Sequence, residues 1–263
     1  MRRSSGSTPI SFEVVLQKFQ TRVGVFGEVD VIVVDAKNIP TNRKTMNPKY
    51  TILFLSISAL SLTACHKDDI RSSGLITAEA RSVPAFTDVR IDGPIEADIR
   101  YGASQYLEVR TDINAISRVR TYVSSSTLII SLDEANYHNG LKFHVTVDMP
   151  TIGRLTQNGV SDVEVSGFFG LASMEVISNG VGDLTLHGST DRLSITQHGV
   201  GRVNAAGMHA DTCQVGLSGV GNMEVRVTDR LFGYLSGVGS IHYHGEPVVE
   251  ITDTGVGNVI RVD

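Results

Sequence analysis

No tryptophan occurs in the 263 residues, and aromatic residues make up only 6%. A tryptophan platform for sugars is therefore excluded, and a lectin-like groove would have to rest on residues such as Tyr234, with Tyr243 read as facing inward. Only Cys65 and Cys213 are cysteines, too few for a disulfide framework. Lysine is scarce beyond Cys65, where only Lys67 and Lys142 occur. Residues 66–263 carry 15 Lys+Arg and 24 Asp+Glu, a net charge of 15 − 24 = −9. That balance argues against nucleic acid or an anionic membrane surface as a partner. No internal apolar run approaches the ~20 residues that cross a bilayer. Long helical periodicity is missing too, so the glycine clusters do not open helices, as phosphate-cradling loops do.

Glycine, by contrast, is abundant, and its placement is periodic. Gly180-Val181-Gly182, Gly199-Val200-Gly201, Gly219-Val220-Gly221, Gly237-Val238-Gly239 and Gly255-Val256-Gly257 repeat one motif, with Gly159-Val160-Ser161 as a degenerate first copy. Steps between the first glycines are 21, 19, 20, 18 and 18 residues. A fixed period near this length with strand-type residues between beats marks a solenoid. Each beat leads into an apolar-polar-apolar triplet, such as Val163-Glu164-Val165, Leu184-Thr185-Leu186, Val203-Asn204-Ala205, Met223-Glu224-Val225 and Ile241-His242-Tyr243. That is the period of a strand with one buried face. The outer two members are expected inside and the middle ones in water.

The beat valines stand three residues before the next inward residue. If they also point inward, alternation breaks and the chain turns a corner there. Glycine suits a corner because it takes positive φ freely. The following Asp162, Asp183, Arg202, Asn222, Ser240 and Asn258 are expected on that corner, where short polar side chains bond nearby backbone. One rung cannot stand alone: ordering ~20 residues costs roughly 1–2 kcal/mol each, against roughly 1.5–3 kcal/mol for each of a few buried apolar side chains. Stacked rungs pair their backbones and close the deficit. The expected fold is all-β, a single-domain parallel β-helix (β-solenoid) over 83–263, with the stretch Val83 to Pro150 forming its first, irregular rungs and Asp133 to Gly140 an excursion. The open last rung makes the chain a candidate for homo-oligomers through that rung.

The address lies upstream. From Met46 a short basic segment leads into Thr51 to Leu62 without a charge, then Leu62-Thr63-Ala64-Cys65. This resembles the lipobox of bacterial lipoprotein signal peptides, which implies lipidation of Cys65 and a membrane attachment through that lipid. Residues 46–65 are then the signal peptide, 1–45 a spurious or disordered upstream extension, and 66–82 a flexible tether. Cys65-His66-Lys67-Asp68-Asp69 resembles the export signal of surface-exposed lipoproteins in one group of gram-negative bacteria. It implies an outer membrane lipoprotein facing outward, with the periplasmic side as the alternative.

Phe86-x-x-Val-x-Ile-x-Gly93, the run from Ser126 to Ile130, Val-x-Met-Pro150 and the repeated beats together resemble the GIN-type head domain described as an auto-transporter adhesin head. The resemblance implies a β-helical fold on a bacterial surface or envelope protein, with no catalytic residues to carry over. The function expected is a non-catalytic binding or adhesion module for an extracellular or envelope ligand, with no cofactor and no enzyme activity. A self-assembling envelope component and a carbohydrate-active β-helix enzyme are the alternatives. Asp162, Asp183 and Arg202 share a register, which suits a solvated corner ladder better than a cation or catalytic site. His187, His198, His209, His242 and His244 lie too scattered for a zinc site. Cys213, in the slot of Leu193 and Leu231, reads as a buried filler.

Overall fold

The computed structural model describes residues 68–138 and 140–262, together with the short strands β1 (Lys18–Phe19) and β2 (Val31–Ile32). Met1–Ala64 and Cys65–Asp263 form two compact units. In the first, β1 and β2 pair antiparallel. Cys65 and the signal segment expected over 46–65 lie outside the described residues.

The second unit is built of β-strands joined by short turns and loops. Its first part runs β3 (Asp69–Ile70), β4 (Ile76–Ala80), β5 (Asp88–Asp92), β6 (Glu96–Tyr101) and β7 (Tyr106–Asp112). After a 3-10 turn at Ile116–Arg118 come β8 (Val119–Ser124), β9 (Thr127–Leu132), β10 (Asn136–Tyr137) and β11 (His144–Met149). The repeats supply β12 (Arg154–Gln157), β13 (Val163–Leu171), β14 (Met174–Ser178), β15 (Leu184–Gln197) and β16 (Val203–Leu217). The last strands are β17 (Met223–Leu235), β18 (Ile241–His244), β19 (Val248–Asp253) and β20 (Val259–Arg261). Stacked parallel pairings curl this chain into a β-solenoid of about five turns.

Two faces build each rung. On the face after the beat, Val163, Leu184, Val203, Met223 and Ile241 stack in register and all are buried. On the face before it, Met174, Leu193, Cys213, Leu231 and Val249 stack. Cys213 is fully buried there, and burial pushes its thiol up to about 12. A neutral, apolar-walled thiol of this kind is a filler and a poor nucleophile.

A third inward column is partly polar. Gln157, Ser178 and Gln197 are buried in the slot that Leu217 and Leu235 fill in later rungs. Ser178 Oγ donates to Gln157 Oε1 at 2.7 Å, and Gln197 Nε2 donates to the Gly201 carbonyl at 2.7 Å. Among the described residues Gln197 Oε1 is left without a partner, a local cost.

The segment 83–150 joins the solenoid with its rungs out of chain order. β5 and β6 form one rung that stacks parallel under β12 and β13. Beyond them lie β9 and β11, parallel to β5 and β6 although they come later in the chain. Antiparallel strands then finish this end: β8 on β9, β7 on β11 and β4 on β7. They cover backbone groups that an open solenoid end would expose. Within the loop 133–140, β10 pairs with β3.

The flexible tether expected over 66–82 is corrected from Asp68 onward. β3 and β4 are paired, and Ser72 to Gly74 is held by Asp112. The buried Asp112 carboxylate accepts from Ser72 Oγ (2.8 Å), Ser73 N (2.7 Å), Ser73 Oγ (2.8 Å), Gly74 N (3.0 Å) and Asn114 N (3.0 Å). Burial acts to raise its pKa, but these donors outweigh burial and hold the carboxyl well below the usual 3.8. A depressed folded pKa adds stability above the unfolded value that is lost as pH falls towards the folded one. Limited proteolysis at Arg71 to Ile76 is therefore expected to stay slow at neutral pH and to quicken well below pH ~4. Asp112→Ala is expected to quicken it at neutral pH with the solenoid rungs still protected. Cleavage at equal rates in the variant and the native chain would contradict the clamp.

Candidate functional site

The repeated beat is where the chain's geometry is tightest. Its two glycines are required for different reasons. The first members, Gly180, Gly199, Gly219, Gly237 and Gly255, stack over one another, starting from Gly159 over Gly93. A Cβ on Gly199 would lie 1.9 Å from the Gly180 carbonyl oxygen. The second members, such as Gly201 at φ +144°, adopt a backbone that other residues resist. Between them the valines pair as isolated parallel bridges from Val160 to Val256.

The inward orientation expected of these valines is overturned. Val181, Val200, Val220 and Val238 are 48–51% exposed, and Val160 and Val256 are 63% and 70% exposed. The first glycine takes the inward slot instead. Alternation then runs unbroken from Ser178 and Gly180, both inside, to Leu184, with the bend absorbed at Gly182. The outcome is an exposed apolar ridge along one corner of the solenoid.

Beside that ridge runs the expected polar ladder. Asp162 Oδ1 accepts from the Asp183 amide and Asp183 Oδ1 from the Arg202 amide, each at 2.8 Å. Asn222 Oδ1 accepts from the Ser240 amide at 3.0 Å, and Ser240 Oγ from the Asn258 amide at 3.2 Å. Each side chain thus caps the backbone of the next rung. The same aspartates border an open hollow of about 400 Å³ lined also by Glu96, Asp98, Glu164 and His144. His144 Nε2 lies 3.3 Å from Asp98 Oδ2. Among the described residues no group of three or more His, Cys, Asp or Glu is arranged to hold a metal ion.

The face before the beat differs in charge. Its outward column in register is Asp88, Arg154, Glu175, Ser194, Gln214 and Phe232. These residues line a groove of about 420 Å³, with Arg192 and Thr212 on its flank. Ser194 is the short member of the column, so the groove dips between the longer Glu175 and Gln214. Arg154 Nε is tied to Glu175 Oε2 at 2.6 Å. Arg90 pairs with Asp92 at 2.8 Å, and Arg230 with Glu250. Of these four arginines, only the Arg192 guanidinium has no hydrogen-bond or ion-pair partner among the described residues. Arg230 also sits 4.8 Å over the Phe232 ring. It stays outside the groove lining, which Phe232 joins. Next to Phe232, Tyr234 lies across Gly216, where an added Cβ would meet the ring at 2.8 Å.

Sequence reasoning had singled out none of Asp88, Arg154, Glu175, Arg192, Ser194, Gln214 and Phe232. The readable trace is a recurrence of one outward slot every rung. The histidines stay apart: His198 Nδ1 meets Ser218 Oγ and His244 Nε2 meets Glu224 Oε1, each at 2.7 Å. Tyr243 is partly buried against the core. No helix among the described residues is long and apolar enough to cross a membrane.

No curated protein matches the sequence. Among solved structures, a "putative adhesin" from Bacteroides fragilis superposes with a TM-score of 0.63 at 22% identity, covering 73% of this chain and all of that one. A second, from Parabacteroides distasonis, gives 0.49 at 22% identity over 74% of this chain and all of that one. The first likeness confirms the solenoid fold. The family described as "Putative auto-transporter adhesin, head GIN domain" matches residues 85–247. That span is more than half of the chain and takes in the beats from Gly159 to Gly239, so the protein belongs to this GIN-domain family.

Proposed function

We propose that this protein is a non-catalytic adhesion module of the bacterial envelope, anchored through lipid on Cys65 to the outer membrane and facing outward. The observation that carries the reading is the solenoid itself. Its carboxylates at Asp162 and Asp183 are engaged with backbone amides, while the opposite face presents an open groove with an uncommitted arginine. Stacked rungs give a stiff, extended surface of the kind used for binding. Family membership supports the same reading, and the Leu62-Thr63-Ala64-Cys65 pattern supports the anchor.

Labelled palmitate and protease treatment of intact cells test this together. The expected result is label that disappears in Cys65→Ala, and cleavage of the domain on unbroken cells. Absence of label, or survival of the domain until the outer membrane is breached, would overturn the anchor or the outward orientation respectively.

A second reading, self-association through the C-terminal rung, has its own support. Val248, Val249 and Ile260 of β19 and β20 are 63%, 38% and 40% exposed, whereas Leu231 and Ile241, with which Val249 and β20's Val259 are in register, are fully buried. Light scattering that shows a monomer at high concentration would remove this reading.

A further inference from the structure

We infer that the groove over Ser194 binds a carboxylated glycan chain, an inference that rests on the reading of this protein as a binding module. Three properties of the groove point to this chemistry. It is open and elongated: Asp88 to Phe232 spans six strands in register, or five spacings of about 4.8 Å. An extended polymer fits such a trough better than a compact ligand. Its walls carry hydroxyl and amide groups, Ser194, Thr212 and Gln214, that both donate and accept, as sugar hydroxyls require. Its end carries a ring, Phe232, whose flat apolar surface suits the C–H face of a sugar.

The charge selects among sugars. Arg154 is neutralised by Glu175 at 2.6 Å, and Arg230 by Glu250 outside the groove. Arg192 flanks the dip with its guanidinium unengaged. A guanidinium offers a planar fork of donors that matches a carboxylate. The groove lining sets Asp88 and Glu175 against Arg154 and Arg192, whereas the hollow on the other face gathers Glu96, Asp98, Asp162, Glu164 and Asp183 without an arginine or lysine. An anionic chain on the arginine face therefore avoids the strongest repulsion from a domain that is acidic overall. Asp88 stands at the far end of the groove and fixes which end of the chain tolerates charge.

The test is titration of the full-length protein in detergent micelles with a hexamer of galacturonic acid and, separately, with a neutral hexamer of galactose. Saturable binding of the acidic hexamer, weakening with added salt, is expected. Arg192→Gln is expected to weaken it about tenfold to a hundredfold, the size of a lost charge-assisted hydrogen bond. Phe232→Ala is expected to weaken it about threefold to tenfold. Both side chains sit on the outer face, so unchanged melting of the variants serves as the folding control. Gln214→Ala replaces either variant that fails that control. The proposal is overturned if the acidic hexamer does not bind, if the neutral one binds equally well, or if the variants bind like the native chain. A domain that is cleaved on intact cells yet ignores the acidic hexamer removes this groove and keeps the adhesion reading. A domain that binds the hexamer and shortens it keeps the groove and removes the non-catalytic reading.

Discussion

Gly199→Ala is expected to destabilise the solenoid by about 3 kcal/mol or more, while Val200→Asn, one residue along, costs about 1 kcal/mol or less. The contrast follows from which of the two points inward. An added Cβ on Gly199 meets the Gly180 carbonyl oxygen at 1.9 Å and the Gly180 carbonyl carbon and amide nitrogen at 2.9 Å. Those atoms are backbone, fixed by the bridge from Val200 N to the Gly180 oxygen at 2.9 Å. Relief would require parting two rungs, so the loss reaches the top of the range for overpacking. Val200 is 49% exposed and flanked by solvent on the ridge. Asparagine there loses strand preference and little else. Denaturant unfolding followed by circular dichroism measures both. A ruinous Val200→Asn beside a tolerated Gly199→Ala would restore the inward valine and contradict the structure.

Phe168→Ala is expected to cost about 3–5 kcal/mol, whereas Phe169→Ala stays within about 0.5 kcal/mol. The two phenylalanines are adjacent, yet Phe168 is 1% and Phe169 76% exposed. Phe168 is among the largest fully buried side chains and packs edge-on to Tyr101, with ring centroids 6.2 Å apart. Here β13 bends: Gly167 and Gly170 have φ of +83° and +70°, and the pairing with β15 shifts register on both sides of Phe168. The bend turns Phe168 into the core. Truncation leaves a cavity in a wall whose backbone is pinned, because Gly188 approaches the Phe168 carbonyl too closely for a Cβ. Thermal melting of the two variants separates them by several degrees. Equal melting would mean that the corner collapses around the cavity or that Phe168 is not seated as described.

These two pairs show what the sequence makes legible. The beat period and the triplets revealed the rungs because both are local and repeat. The buried outer members Leu184, Leu186, Val203 and Ala205 fall where alternation put them. Glycine carries no side chain to announce a direction, so the valine between two glycines was assigned the inward slot that Gly180 or Gly199 occupies. Phe168 and Phe169 lie in a bend that breaks period two, which no alternating pattern reports. The swapped order of β5–β6 and β9–β11 was illegible for another reason: strand patterning is the same whichever neighbour a strand pairs with. The tether was misread because polar, small residues such as Ser72, Ser73 and Gly74 look like linker until a distant Asp112 is known to hold them.

The groove was hidden by distance along the chain. Asp88 and Phe232 are separated by most of the domain, and only the pairing register places Arg154, Glu175, Ser194 and Gln214 between them. Once the register is known, the slot can be read down the sequence as one outward residue per rung. The corner ladder was legible earlier because its turn chemistry recurs at a fixed distance from each beat.

The measurement that bears most directly on an outward-facing binding solenoid is retention of cells on a polygalacturonate-coated surface. Cells displaying the native chain and cells displaying equal amounts of Arg192→Gln would be compared under flow. The account predicts retention of the first, loss of most of it in the second, and release of the first by soluble galacturonic acid hexamer. Equal retention of both, insensitive to the soluble hexamer, would contradict it.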